Sequence, residues 1–172
     1  MKRTAQLLVL ICVLLPLPAR AQHWAEYRPD GIGYSIELPG EWSVEARDVD
    51  TASGVSKSYR ATVVIESRAY MTMYSSIPED AVRTRTITTM LDGARDGAVK
   101  NVEGTLRSEE KVLISNLPAR YVIVDCPKNV VLAARFFLLG NILVQGLVAG
   151  PPGIESESAT KRMLGSLKVV KR

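Results

Sequence analysis

Residues 130–149, VVLAARFFLLGNILVQGLVA, are two apolar runs separated by Gly140-Asn141. A Gly-Asn pair between two such runs is typical of a two-residue β-hairpin turn. Apart from Arg135 and Gln145, both arms are apolar on both faces, and strands of this kind are covered on both sides. The segment therefore predicts a hairpin, too long and too apolar for an edge, in a sheet that carries helices on both faces.

Two segments are expected to supply those helices. The sequence Ser76-Ile77-Pro78-Glu79 combines a capping box with a proline in the first turn, and predicts an amphipathic helix of about five turns. Its apolar stripe is Ile87, Met90, Leu91, Ala94 and Ala98. A second helix is expected from about Glu155 to Gly165, followed by a short last strand, LKVV.

The remaining strands are expected on both sides of the first helix. Tyr34, Ile36 and Leu38 alternate with polar residues, which is the period of a half-buried strand. Strands are predicted at 34–38, 42–46, 58–67, 69–76, 104–115 and 119–126, with a loop at 48–56. The G-x-G at 31–33 lacks the third glycine and the following helix of a phosphate-binding loop, so we interpret its glycines as turn residues.

The first 21 residues, MKRTAQLLVLICVLLPLPARA, predict a secretory signal peptide. Lys2 and Arg3 precede an apolar run, and Ala19-Arg20-Ala21 is a small-x-small cleavage pattern. The run is shorter than the ~20 residues of a spanning helix, so we do not expect a membrane-spanning protein. We expect one domain at 22–172, exported to the periplasm or the extracellular space after cleavage near Ala21.

The charge of the processed chain argues against a nucleic-acid partner. Removal of Lys2, Arg3 and Arg20 reduces the 22 basic side chains to 19, against 18 acidic ones. A nearly neutral protein without a run of like charges lacks the basic surface that phosphate backbones select.

Catalytic and metal-binding chemistry is not expected. His23 is the only histidine and lies two residues into the processed chain, so a positioned catalytic base of the Ser/His/Asp or Cys/His type is missing. One cysteine and one terminal histidine cannot build a closed zinc site. We therefore predict no catalytic residue, no cofactor, no metal and no enzyme activity.

Three residues remain as candidates for contacts. Arg120 and Arg135 interrupt apolar strands and together could form an anion-binding patch, or each could pair with a carboxylate such as Asp125. Cys126 is the one cysteine that survives processing, and is either a small buried side chain or the site of an intermolecular disulfide.

Several segments resemble the PsbP-like superfamily. They are GYSIELP (33–39) with EW (41–42), LISNLPARYVIVD (113–125), RFFLLGNILVQGLVAGP (135–151) and RMLGSLKVV (162–170). This group shares its fold with a Ran-binding nuclear-import regulator and with the lumenal PsbP subunit of photosystem II. The resemblance implies an α+β fold, an antiparallel sheet of about six to seven strands with helices packed on both faces as an α/β/α sandwich. It implies no catalytic residues.

Two functional hypotheses follow. The first is a non-catalytic exported protein that binds or stabilises another envelope protein. The alternative is a carrier or sensor for a small apolar or anionic ligand held between sheet and helix, which a closed core without cavities would exclude. A homodimer formed through an exposed edge strand or through Cys126 stays open under either hypothesis.

Overall fold

The computed structural model of the chain describes residues 23–51 and 54–171. These residues form ten strands: β1 (Trp24–Tyr27), β2 (Tyr34–Pro39), β3 (Ser43–Thr51), β4 (Gly54–Ile65), β5 (Arg68–Ser76), β6 (Thr105–Ile114), β7 (Leu117–Cys126), β8 (Val130–Leu139), β9 (Ile142–Gly150) and β10 (Lys168–Val169). They also form three α-helices: α1 (Glu79–Thr84), α2 (Ile87–Asn101) and α3 (Ser158–Ser166). The predicted signal peptide, residues 1–21, lies outside the described residues.

Seven strands form the main sheet, in the order β3-β4-β5-β9-β8-β7-β6, with every neighbouring pair antiparallel. The predicted hairpin is confirmed, since β8 and β9 pair directly and Leu139 lies opposite Ile142 across the Gly140-Asn141 turn. Both arms lie inside the sheet rather than at its edge. The expected α+β fold with an antiparallel sheet of six to seven strands is therefore confirmed.

One face of this sheet is covered by α3 and by a second sheet of three strands, β1-β2-β10. The Tyr34 hydroxyl lies 3.1 Å from Thr72 Oγ1 on β5, and burial raises the pKa of Tyr34. A Cβ at Gly146 on β9 would lie only 2.9 Å from Ile36 Cδ1, so the two layers approach as closely as a glycine permits. The separate sheet was not predicted from the sequence, which indicated strands at β2 and β10 but neither β1 nor the pairing of the three strands.

The other face is covered mainly by α2, which packs on β7 and β8. Leu91 is fully buried there, in a cluster with Val122, Leu132 and Phe136. The predicted helical cover on both faces is present, but α2 leaves part of the surface of β4, β5 and β9 accessible.

The structure corrects the prediction of one five-turn helix. The chain leaves the helical conformation at Arg85, and α2 starts afresh with Thr86 as its N-cap, whose hydroxyl accepts from the Thr89 backbone N–H at 3.2 Å. A threonine hydroxyl can satisfy a free N–H in this way, so a second cap inside the run divides it. Ser76 belongs to β5 and does not cap α1, and Ile87 is 49% exposed rather than part of the buried stripe.

The predicted loop at 48–56 is also mostly strand. The structure extends β3 to Thr51 and begins β4 at Gly54, so the two strands form a long hairpin. The polar, turn-rich composition of 48–56 suggested a loop, but backbone pairing between β3 and β4 continues to Thr51 and Gly54. In the two described ranges, no helix is long and apolar enough to cross a membrane.

Candidate functional site

A half-open groove runs between α2 and strands β4, β5 and β9. It consists of two adjoining cavities of about 450 and 360 Å³. Both are lined by Met73, Ala94, Asn101, Leu143 and Gln145, so they form one continuous depression. Each volume falls within the roughly 300–1,000 Å³ of typical ligand pockets.

The groove exists because α2 presents small residues towards it. Gly93, Ala94, Gly97 and Ala98 line this side of the helix. A Cβ added at Gly93 or Gly97 would meet no atom within 4 Å, which confirms that the space beside the helix is open. Larger side chains at these positions would close the gap against the sheet.

The floor of the groove is apolar in the smaller cavity and mixed in the larger one, where Ser56, Ser58, Ser75 and Ser76 also line it. Met71 and Met73 come from β5, and Leu143 and Leu147 come from β9. Methionine adapts its shape to different occupants because its unbranched thioether chain has several accessible rotamers. This floor suits an occupant with apolar side chains.

The polar groups of the groove carry no negative charge. Of the described residues, those that line the two cavities include no acidic side chain, no histidine and no cysteine. Arg85 lines only the larger cavity and Arg60 only the smaller one. Arg60 donates to Glu45 at 2.8 Å, while its buried Nε has no hydrogen-bond partner among residues 23–51 and 54–171. The groove therefore favours an occupant with negative charge.

Arg120 lies beneath α2 and outside the groove. Its side chain is 4% exposed, with Nη2 3.0 Å from Asp92 Oδ1 on α2 and Nε 2.8 Å from Glu109 Oε1 on β6, the second being a charge contact without hydrogen-bond geometry. Arg95 on α2 also contacts Glu109, at 2.8 Å. We call Asp92, Arg95, Glu109 and Arg120 the α2 ion network, which fastens the helix to the edge of the sheet.

Arg135 points to the opposite face. In the β7–β8 ladder Arg120 pairs with Phe136 and Tyr121 pairs with Arg135, so the two arginines extend to different sides of the sheet. Arg135 lies over the Tyr121 ring, 5.2 Å from its centroid, and donates to the Leu164 carbonyl at 3.3 Å. The structure therefore does not bring Arg120 and Arg135 into one anion-binding patch, and a binding role for either alone stays a prediction.

Asp125 pairs with neither of these arginines. Its carboxylate accepts from Arg107 Nε at 3.0 Å, and this hydrogen bonding lowers the pKa of Asp125. Arg107 also donates to Glu155 at 2.7 Å. The carboxylate that the sequence suggested as a partner for Arg120 or Arg135 is thus occupied elsewhere.

Cys126 ends β7 and is half-buried against the cluster beneath α2. Its Sγ lies 3.7 Å from the Val124 carbonyl, and burial raises the pKa of the thiol. The neutral thiol is therefore favoured near neutral pH, which weakens any role as a nucleophile. An intermolecular disulfide through Cys126 stays a prediction.

The part of the chain that the structure describes contains no group of three or more His, Cys, Asp or Glu side chains that could hold a metal ion. His23 is its first residue and is exposed.

The order and packing of these elements can be compared with solved structures. The chain is similar to the solution structure of cyanobacterial PsbP (CyanoP) from Synechocystis sp. PCC 6803, with a TM-score of 0.57 over 88% of this chain and 95% of that chain. The fold is PsbP-like. At 14% sequence identity, this likeness of the PsbP-like domain to CyanoP shows the fold alone.

A second similar structure is the crystal structure of PA94 from Pseudomonas aeruginosa, a protein of unknown function described as a putative regulator. It has 12% identity and a TM-score of 0.43 over 78% of this chain and 87% of that chain. No protein-family model matches the PsbP-like chain, and no curated protein matches it.

The sequence hypothesis of a ligand held between sheet and helix did not identify the residues of the groove, although three of them stand out in the sequence. Gln145 interrupts an apolar strand, and Gly93 and Gly97 lie four residues apart in α2. The sequence marks Gln145 as an exception but does not show that it and both glycines line one depression.

Proposed function

We propose that this PsbP-like domain is a non-catalytic exported protein that binds another envelope protein. The groove beside α2 holds a segment of that protein in which apolar and acidic residues are combined. The observation that carries the proposal is the lining of the groove. Its floor combines the apolar side chains of Met71, Met73 and Leu147 with several serines, Arg60 and Arg85 also line it, and neither cavity has an acidic side chain. Such a lining complements a polypeptide segment with apolar and acidic residues.

The shape of the groove favours a polypeptide over a compact ligand. Pockets for small molecules bury most of the surface of their ligands, whereas this groove is open along one side. Peptides commonly bind in such grooves through a row of apolar side chains. The methionine floor provides the adaptable surface that such a row needs.

The lining also supports a binding role rather than catalysis. General acid–base chemistry needs a positioned histidine, carboxylate or similar group within reach of the substrate. Among the described residues, none of these types lines either cavity. Cys126 lies under the helix with a raised pKa rather than in the groove.

The experiment places a photo-crosslinking amino acid at Gln145 on the groove floor of the exported protein. Irradiation of cells is followed by identification of the crosslinked peptide by mass spectrometry. We expect one apolar, acidic segment of an envelope protein, and we expect Gly97→Trp, which fills the groove, to abolish the crosslink.

The matched control is Thr88→Trp, on an exposed position of the same helix that does not line the groove. It should leave the crosslink intact. Crosslinks that survive Gly97→Trp would contradict the proposal. Recovery of a small apolar molecule from the purified protein by native mass spectrometry, with loss of that molecule in Gly97→Trp, would favour the carrier hypothesis instead.

A further inference from the structure

A second cleft lies on the opposite face of the sheet, between α3 and strands β7 and β8. Its volume is about 200 Å³. The residues that line it are Tyr121, Arg135, Glu155, Thr160, Lys161 and Leu164. It is separate from the groove beside α2 and shares no lining residue with it.

Three buried polar atoms of this cleft lack hydrogen-bond partners among the described residues. They are Thr160 Oγ1, Arg135 Nε and Glu155 Oε2. Thr160 as a whole is only 1% exposed. Leaving a buried polar atom without a partner costs the desolvation of that atom, so such atoms are rare in native proteins. Three of them around one cleft mark a place where a bound molecule can supply their partners.

Both charged groups are held in place by other contacts. Arg135 lies over the Tyr121 ring and donates through Nη1 to the Leu164 carbonyl, which leaves its Nε unused. Glu155 accepts from Arg107 through Oε1 at 2.7 Å, which leaves its Oε2 unused. The orientation of the two free atoms is therefore fixed before any ligand binds, which reduces the entropy lost on binding.

The free groups differ in chemistry in a way that specifies the ligand. Arg135 Nε and the Thr160 hydroxyl can donate to an anion, and exposed Lys161 adds a second positive charge. The carboxylate oxygen of Glu155 can only accept, so it requires an N–H or O–H group on the same ligand.

We propose that this cleft binds a small carboxylic acid that also carries an N–H or O–H donor, such as an α-hydroxy acid or an α-amino acid. The ligand carboxylate accepts from Arg135 Nε and the Thr160 hydroxyl, and the ligand donor binds Glu155 Oε2. The site goes beyond the proposed groove function, because it lies on the other face and selects a different class of molecule.

The test is an NMR titration of residues 22–172, which contain every element of the described fold, with glycolate, glycine and acetate. Glycolate or glycine should shift backbone amides of β8 and α3 at millimolar concentration. Acetate, which lacks the donor, should bind about tenfold more weakly, the effect of losing one charge-assisted hydrogen bond. Thr160→Val keeps the side-chain shape and removes the hydroxyl. It should weaken binding of whichever of glycolate and glycine binds more tightly, by roughly tenfold.

Two lysine variants complete the design. Lys161→Gln, an exposed change that leaves the core untouched, should weaken binding several-fold. Lys111→Gln removes the same charge from exposed β6, outside the cleft, and should bind as the wild type does.

The proposal is overturned if none of the three acids shifts these amides, in which case ordered water satisfies the buried atoms. It is equally overturned if acetate binds as tightly as glycolate and glycine, or if Thr160→Val and Lys161→Gln both retain wild-type affinity. Gly97→Trp should not alter acid binding, so failure of the groove proposal and failure of this one are distinguishable.

Discussion

Glu109→Gln tests whether Arg120 is held in the α2 ion network or is available to a ligand. Arg120 is 4% exposed and cannot turn its charge to water, so loss of the Glu109 carboxylate leaves it with Asp92 alone, at 3.0 Å. Removing one partner of a buried ion pair typically costs ~3–5 kcal/mol. Because Asp92 remains, we expect the lower end, about 3 kcal/mol, which corresponds to a fall in Tm of about 6–12 °C for a domain of this size.

The measurement is urea unfolding of residues 22–172, followed by the fluorescence of Trp24 and Trp42. Glu110→Gln is the matched control, since Glu110 is the neighbouring exposed carboxylate on β6 and has no ion pair in the described part of the chain. This control should change the free energy of unfolding by less than about 0.5 kcal/mol. In an Arg120→Met background, Glu109→Gln should cost at least ~1 kcal/mol less than it does in the wild type.

A loss below about 1 kcal/mol for Glu109→Gln, similar to that of the Glu110→Gln control, would refute this reasoning. Arg120 would then not depend on Glu109, and the original hypothesis of a ligand contact at Arg120 would regain support.

Three further predictions concern other parts of the fold. Glu157→Gln should lower Tm at neutral pH, because hydrogen bonds from Arg68 hold the pKa of Glu157 below its ordinary value. A lowered folded-state pKa stabilises the fold above the unfolded-state pKa of about 4.3, and this effect is lost as pH falls through the folded-state value. The Tm difference should therefore shrink below about pH 4 and vanish at still lower pH, and a constant difference throughout would contradict the assignment. Gly146→Ala should lower the free energy of unfolding, measured in urea, by ~1–3 kcal/mol, because its Cβ would lie 2.9 Å from Ile36 Cδ1. Gly165→Ala, on the open surface of α3, should not lower it. Equal effects of the two changes would argue against the tight contact between the layers. Cys126→Ser should remove any dimer that the oxidised protein shows on a non-reducing gel, and absence of a dimer band in the wild type would count against the disulfide.

Local signals predicted the elements of the fold better than the contacts between them. The Gly140-Asn141 hairpin depends on residues adjacent in sequence, and the structure places both arms as expected. The position of Arg120 relative to Arg135 depends instead on the register between β7 and β8, where a shift by one residue reverses every side chain. A sequence specifies that register only through the packing of the whole core. The hydrophobic pattern alone therefore could not show whether Arg120 and Arg135 form one anion-binding patch.

The helix break shows the same limit at shorter range. Ser76 and Thr86 are both acceptable caps for the residues that follow them, and propensity does not decide between one long helix and two short ones. Packing decides, since Leu91 must reach the cluster above β7 and β8 while β5 ends at Ser76. The groove is missed for the same reason, because it is the gap left when α2 takes this position.

The manner in which α2 is attached bears on what the groove can do. Leu91 is the only fully buried residue of this helix, Met90, Ala94 and Val99 pack partly buried on the same cluster, and the α2 ion network adds directed contacts to the described sheet. Apolar packing and ion pairs together hold the helix in place, and Gly93 and Gly97 then lie beside open space at a fixed distance from the sheet. A groove whose wall is held in this way exists before its occupant arrives, and binding there does not have to supply the cost of ordering the helix.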